Sequence, residues 1–370
     1  MRKKGMVWFA ALLVMMGLAG CAAAAGVTLR TFTPFADMDL AAQSYMDLIT
    51  AWETESGNLV EDYSGLTDEA WMEQLRAMTA DGQVDLVVVP VGSGLTGSEL
   101  VNVEELLAVA PDCGARRMDA MMEADGTVLL TPVRFNWEAL YINTDVLEAK
   151  GLSAPTTYEE LVSVCSALAQ EGVLPLANAL GDWAEIVLDC AALLGAPADQ
   201  YGQQASLDGA QAVLTALMQA GAFGTDPWGM TDADAQDAFL SGQAAMRFDS
   251  EGLAQMATAA GRQDSVTVVS LAGTDGQART AVVGVPSFGL ALTQACWQDE
   301  ARREAALSLV TKMLSQEGLA SLAGGSQSRL GESIAQLTAS ATGCTGLLYD
   351  LNPDGFESWA QGVIDALRSL

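Results

Sequence analysis

Histidine is absent from the 370 residues, and beyond the first four positions lysine occurs only at Lys150 and Lys312. These gaps exclude a Ser-His-Asp triad and any histidine-containing metal site. No G-x-S-x-G elbow and no Walker loop is present either. Basic residues number 17 against 47 acidic ones, a formal charge of −30, and a field of that sign repels nucleic acid and anionic lipid. Neither is expected as a partner. Hydrophobic residues nevertheless reach 50%, enough to build substantial cores, so the charge reads as a solvated acidic surface rather than as disorder.

A long apolar run is also missing. Met6 to Leu18 follows Arg2, Lys3 and Lys4 and is too short to read as a membrane span. It ends in Leu18, Ala19, Gly20 and Cys21, the pattern of a bacterial lipobox. Residues 1–20 are therefore expected to be a signal peptide and Cys21 the lipidated first residue, with 21–26 as tether. Removing the signal leaves 14 of the 17 basic residues against 47 acidic ones, a formal charge of −33. The protein is expected outside the cytoplasm, held on the cell membrane only through that lipid.

The other cysteines, Cys113, Cys165, Cys190, Cys296 and Cys344, are odd in number and lack a C-x-x-C pair. No framework can pair all five. They read as small buried hydrophobes, with a single disulfide left open.

Strands and helices alternate through the first third. Val27–Phe32 reads as a strand, Leu40–Thr54 as a helix, Asn58–Tyr63 as a strand, the segment from Asp68 as a helix, and Val84–Val89 as a strand. This order predicts a mostly parallel α/β sheet. Ligands of such sheets sit beyond the carboxyl ends of the strands, which selects the loops Thr33–Asp37 and Pro90–Gly97. Phe35 is a stacking candidate there and Asp37 an acceptor for hydroxyls.

Val128–Val133 and Ala139–Asn143 read as two further strands, followed by a helix Asp145–Lys150 that Gly151 stops. Between the strands stand Arg134, Phe135, Asn136 and Trp137: a cation, an amide and two aromatic faces on one irregular crossing. That composition suits the wall of a site for a polar ligand. Asp232, Asp234 and Asp237 lack the glycine and distal glutamate of a calcium loop. They are expected to cap and charge a helix N-terminus.

The stretch from Pro132 to Asp145, continued by Gly151 and by Pro155, Thr156, Thr157, Tyr158, Glu159, Glu160 and Leu161, resembles the hinge-crossing segment of family 1 extracellular solute-binding proteins. These are the sugar-type receptors of ABC importers. Asn178–Glu185 resembles their ligand-facing turn, Asp237–Ser250 their helix and short Ala-Met strand, and Gly284–Leu292 their return crossing. Where maltose-type receptors place a stacking tryptophan after that strand, this chain has Glu251 and Gly252, which speaks against a maltodextrin.

The resemblance implies a periplasmic-binding-protein-like fold: two α/β lobes with mostly parallel sheets joined by a hinge. Lobe I would comprise 27–133 plus 286–334, and lobe II 134–285 plus 335–370. It implies a monomer that binds a sugar between the lobes and closes to signal ABC permease transmembrane subunits, without cofactor or metal and without catalysis. Stacking faces would come from Phe35, Phe135, Trp137, Trp183 and Phe288; hydrogen bonds from Asp37, Asn136, Asp182, Asp249, Ser250 and Ser287. Trp183 could equally anchor its helix, and Trp359 is expected to pin the last helix rather than stack on ligand. Arg134 and Arg247, two cations on cleft segments of a cation-poor chain, hint at an anionic sugar, unless each pairs with an acid such as Asp249 or Glu138. A receptor or sensor for a non-sugar solute, or a glycosidase using two of the many carboxylates, stays open as an alternative.

Overall fold

A computed structural model of the chain describes residues 26–36, 39–118, 121–181, 185–277, 286–323, 328–340 and 353–369. The signal segment, Cys21, Asp37, Asp182, Trp183, the first two residues of the expected return crossing, Gly284 and Val285, and Cys344 lie outside these residues.

The elements run β1 (Thr28–Phe32), α1 (Ala42–Ser56), β2 (Leu59–Asp62), α2 (Glu69–Ala80), β3 (Leu86–Pro90), α3 (Val103–Val109), β4 (Thr131–Phe135), β5 (Glu138–Asn143), α4 (Thr144–Ala149), α5 (Tyr158–Gln170), β6 (Leu174–Leu176) and α6 (Glu185–Gly195). They continue as α7 (Gln204–Gln219), α8 (Asp232–Leu240), β7 (Ala244–Ser250), α9 (Gly252–Ala259), β8 (Val266–Val269), β9 (Pro286–Leu292), α10 (Gln294–Gln298), α11 (Glu300–Met313), α12 (Gln316–Leu322), α13 (Arg329–Ser340) and α14 (Pro353–Arg368).

Two sheets divide the chain. The first has the order β2-β1-β3-β9-β4 and the second β6-β7-β5-β8. The expected α/β class holds, and the sheets are mostly parallel as expected, with one strand opposed in each: β9 in the first and β5 in the second. β1 pairs in parallel with β2 and β3, and β6 with β7, whereas β9 runs antiparallel to β3 and β4, and β5 to β7 and β8. The reason is the long return: β9 arrives from the second lobe and enters the first sheet against the direction of its neighbours.

Both sheets are buried on both faces, as strand periodicity requires. In β3, Leu86 and Val88 pack with α1, α11 and α12, while Val87 and Val89 face the layer of α2 and α3. In β5, Leu140 and Ile142 join the core of α5, α6, α7 and α14, while Ala139 and Tyr141 join that of α8, α9 and α13. Trp359 packs against the former core with Phe356 beside it, ring centroids 5.7 Å apart, so it pins α14.

Several of the motif residues that carried the resemblance hold the fold together. Thr157 caps α5 by accepting from the Glu160 amide at 3.1 Å. Asn143, fully buried, donates to the carbonyls of Phe239 and Ala244, and the Tyr141 hydroxyl donates to that of Ser250. These bonds tie β5 to the α8–β7 turn and to the end of β7. Gly151 ends the α4 region at φ +66°, a conformation glycine reaches without a Cβ clash. Thr231 and Asp234 form a capping box on α8, as expected of the acidic cluster.

The crossing between lobes falls after Phe135, which still pairs in the first sheet with Pro286. A third passage follows α12, because α13 packs on β8 of the second sheet through Leu330, Ile334 and Leu337. Phe135 thus still pairs in the first sheet, and α13 packs on the second.

Candidate functional site

Where the chain passes from one sheet to the other it encloses a cavity of about 460 Å³. β4 brings Arg134 and Phe135 to its wall, the link to β5 brings Asn136 and Trp137, and the start of β9 brings Ser287 and Phe288. Six of the residues expected from sequence thus converge on one place. The second lobe adds Glu251 from the β7–α9 turn, Gln255 from α9 and Ile334 from α13; the first adds Leu40 before α1, Arg116 after α3 and Gln316 of α12.

The aromatic residues divide into two kinds. Phe135 and Phe288 are half-buried on the wall, whereas Trp137 is only 4% exposed and stacks on Tyr141, ring centroids 5.8 Å apart. Phe35 is a correction to the sequence reading. It is 1% exposed, packs on Tyr45 and is covered by the Arg134 guanidinium 4.8 Å from its ring centre. Its loop folds inward because the hydrophobic ring gains more under α1 than in water.

The two arginines singled out from sequence are both engaged by acids. Arg134 grips Asp39 through Nη1 at 2.6 Å and Nη2 at 2.5 Å and donates Nε to the Leu322 carbonyl. Arg247 is 3% exposed, ion-paired to Asp232 and Asp249, and donates to the Ala177 carbonyl. Asp249 and Arg247 are therefore internal and do not line the cavity, a second correction. Ser250, bonded through its amide to Asp249 Oδ1, also stays off the wall. The Pro90–Gly97 loop touches the return strand, Val91 donating to the Ser287 carbonyl at 2.9 Å, but does not line the cavity.

Acidic groups crowd the second-lobe side. Glu251 lines the cavity, and burial raises its carboxyl pKa above the usual range, opposed by the Trp137 amide and by nearby Arg134. Behind it, Glu138 opens β5 at 7% exposure, with Oε2 lacking any hydrogen-bond partner. Burial, reinforced by Asp189, Glu251, Asp249 and Glu185, pushes that carboxyl up to about 9. Cys113, Cys165, Cys190 and Cys296 are buried free thiols. Burial pushes Cys165 up to about 12, which leaves it protonated and unreactive.

Sequence reasoning missed Arg116, Gln255 and Gln316, which reach the cavity from a loop after α3, from α9 and from the start of α12, segments far apart in the chain. It registered Glu251 only as a departure from a tryptophan. Asp37, Asp182 and Trp183 fall outside the described residues.

The arrangement can hold a small polar solute: a volume in the range of ligand pockets, two half-buried aromatic rings, and polar groups supplied from both lobes. Comparisons with known proteins agree in fold. A profile of the bacterial extracellular solute-binding proteins matches residues 47–331. Among solved structures, RafE from Streptococcus pneumoniae in its apo form is similar at TM-score 0.58 and 16% identity, over 93% of this chain and 97% of that one. The bacterial solute receptor AcbH, with its exclusive preference for β-D-galactopyranose, is similar at 0.53 and 17%, over 92% and 94%. A structure from work on xylan utilization by Caldanaerobius polysaccharolyticus is similar at 0.51 and 19%, over 93% and 96%. No curated protein matches the chain.

Proposed function

Because the chain belongs to the bacterial extracellular solute-binding proteins, we propose that it is the substrate-binding lipoprotein of an ABC importer and takes a short saccharide in the hinge cavity. The observation that carries this reading is the shared wall: both lobes and both described edges of the hinge contribute side chains to one cavity. A solute touching both lobes stabilises the closed state more than the open one, so binding drives closure. A permease can read that closure without any bond being broken.

Sugar chemistry fits the lining. Phe135 and Phe288 offer faces to the apolar side of a pyranose, and Asn136, Glu251, Gln255 and Ser287 offer partners to hydroxyls. The sugar specificity of AcbH supports the same class. Cys21 would hold the protein at the membrane, and the acidic surface keeps the chain off anionic lipid.

The test is calorimetric titration of the purified protein with mono- and disaccharides, amino acids and short peptides, together with the radius of gyration from solution scattering. The expected result is stoichiometric binding of one sugar class with a smaller radius. Binding of an amino acid or peptide and of no sugar would overturn the substrate class and leave the receptor reading standing; turnover of a glycoside would overturn both.

A further inference from the structure

Among the described residues every arginine guanidinium but one is engaged within the protein. Six face carboxylates, three donate to carbonyl or amide oxygens, and Arg368 lies over the Trp228 ring. This is what a chain with 47 acids and 17 bases leads one to expect. The exception is Arg116. Its guanidinium has neither acid nor acceptor, and it stands on the wall of the hinge cavity.

The base of that side chain is nevertheless fixed. The Arg116 amide donates to Thr131 Oγ1 at 2.6 Å and the Thr131 hydroxyl donates back to the Arg116 carbonyl at 3.1 Å. Thr131 is itself 1% exposed at the start of β4. Two residues earlier Gly114 turns at φ +82°, so close to α11 that a Cβ there would lie 2.8 Å from the Leu314 carbonyl oxygen. The loop is seated at both ends, and only the charged head is free. The polar groups that the second lobe brings to the same cavity are of the other kind: the Glu251 carboxylate and the Gln255 amide.

We infer that the cavity takes a saccharide carrying an oxyanion substituent, a carboxylate, sulfate or phosphate, with Arg116 as the anion's partner and Glu251 and Gln255 meeting its hydroxyls. This rests on the reading of the cavity as the ligand site. The planar guanidinium matches an oxyanion through two parallel donors. Arg134, although on the same wall, is neutralised by Asp39 and contributes no net charge. A ligand that contacts both Arg116 and Glu251 touches both lobes, so the anion specificity and the closure draw on the same contacts.

The experiment compares D-glucose with D-glucuronate, glucose 6-phosphate and glucose 6-sulfate by calorimetry on the purified protein, and repeats the set on Arg116→Gln and Arg116→Lys. One acidic sugar is expected to bind about tenfold or more tighter than glucose, the span of one charge-assisted hydrogen bond. Arg116→Gln should erase that advantage, Arg116→Lys should keep part of it, and added salt should weaken it. Which acidic sugar binds identifies the oxyanion. Equal binding of glucose and all acidic sugars, or discrimination that survives in Arg116→Gln, would overturn the inference while the sugar receptor stands. Silence from every sugar would overturn both. The wild-type comparison decides the matter even if the glutamine variant does not fold.

Discussion

Trp137 and Glu251 are joined twice: the Trp137 amide donates to Glu251 Oε2 at 3.1 Å, and the Glu251 amide donates to the Trp137 carbonyl at 3.1 Å. The first residues of the second lobe are thereby locked to the turn that follows β7. Glu251 is thus both a wall of the cavity and a fastener of the hinge exit, and its side chain is committed on one oxygen only.

Replacing Glu251 by alanine leaves the Trp137 amide without its acceptor. Stability should fall by about 1–3 kcal/mol, the cost of an unsatisfied buried donor, and ligand affinity should fall with it. Glu251→Gln keeps an acceptor oxygen and should lose less stability. Thermal unfolding of the two variants beside calorimetry of the ligand checks this; equal stability losses would show that charge rather than the hydrogen bond holds the turn.

Glu138 gives the stability a pH dependence. Its folded pKa, pushed up to about 9, lies above the ordinary value of 4.5, so in between the folded state holds a proton that the unfolded chain has released. The contribution is fully present below about 4.5 and is lost as pH rises through the window up to about 9. Glu138→Gln, which mimics the protonated carboxyl, should flatten that part of the curve and be the more stable protein at pH 8. Urea midpoints of both chains from pH 5 to pH 9 measure it; parallel curves would mean that Glu138 is ionised in the folded state.

Helices α6 and α7 touch backbone to backbone. A Cβ built on Gly195 would lie 2.3 Å from the carbonyl carbon of Gly209, and one on Gly209 would lie 2.3 Å from the Gly195 oxygen. Gly195→Ala must push the helices apart, and a loss of roughly 1–3 kcal/mol is expected from such overpacking. Gly362→Ala in α14, where a Cβ meets nothing within 4 Å, should instead be neutral or stabilise by up to about 1 kcal/mol through helix propensity. Chemical denaturation of the pair distinguishes packing from propensity.

Much of the fold was legible. The strands Thr28–Phe32, Leu86–Pro90 and Glu138–Asn143 and the helices α1, α2 and α4 lie within a few residues of the segments that sequence pattern marked, because burial on one face or both leaves a local record. The direction of β9 was not legible. Pairing between Pro90 and Phe288 joins residues nearly two hundred positions apart, and no local pattern encodes the sense in which such a strand enters a sheet.

The site was legible by half. Arg134, Phe135, Asn136 and Trp137 stand together in sequence and remain together in space, so an unusual composition sufficed to mark them. Phe35 and Arg247 carried equally suggestive side chains, yet each found a partner distant in the chain: Arg134 for the ring and Asp232 for the cation, which Asp249 two residues on also engages.

By itself the sequence determined the α/β alternation, the helix caps, the acidic surface and the absence of histidine chemistry, because these depend on residue type and near-neighbour spacing. Only the tertiary structure decided which charges remain free. Coulomb pairing and desolvation act over a few ångströms regardless of chain separation, so the folding that neutralised Arg134 and Arg247 also left Arg116, among the described residues, as the unpaired cation on the cavity wall.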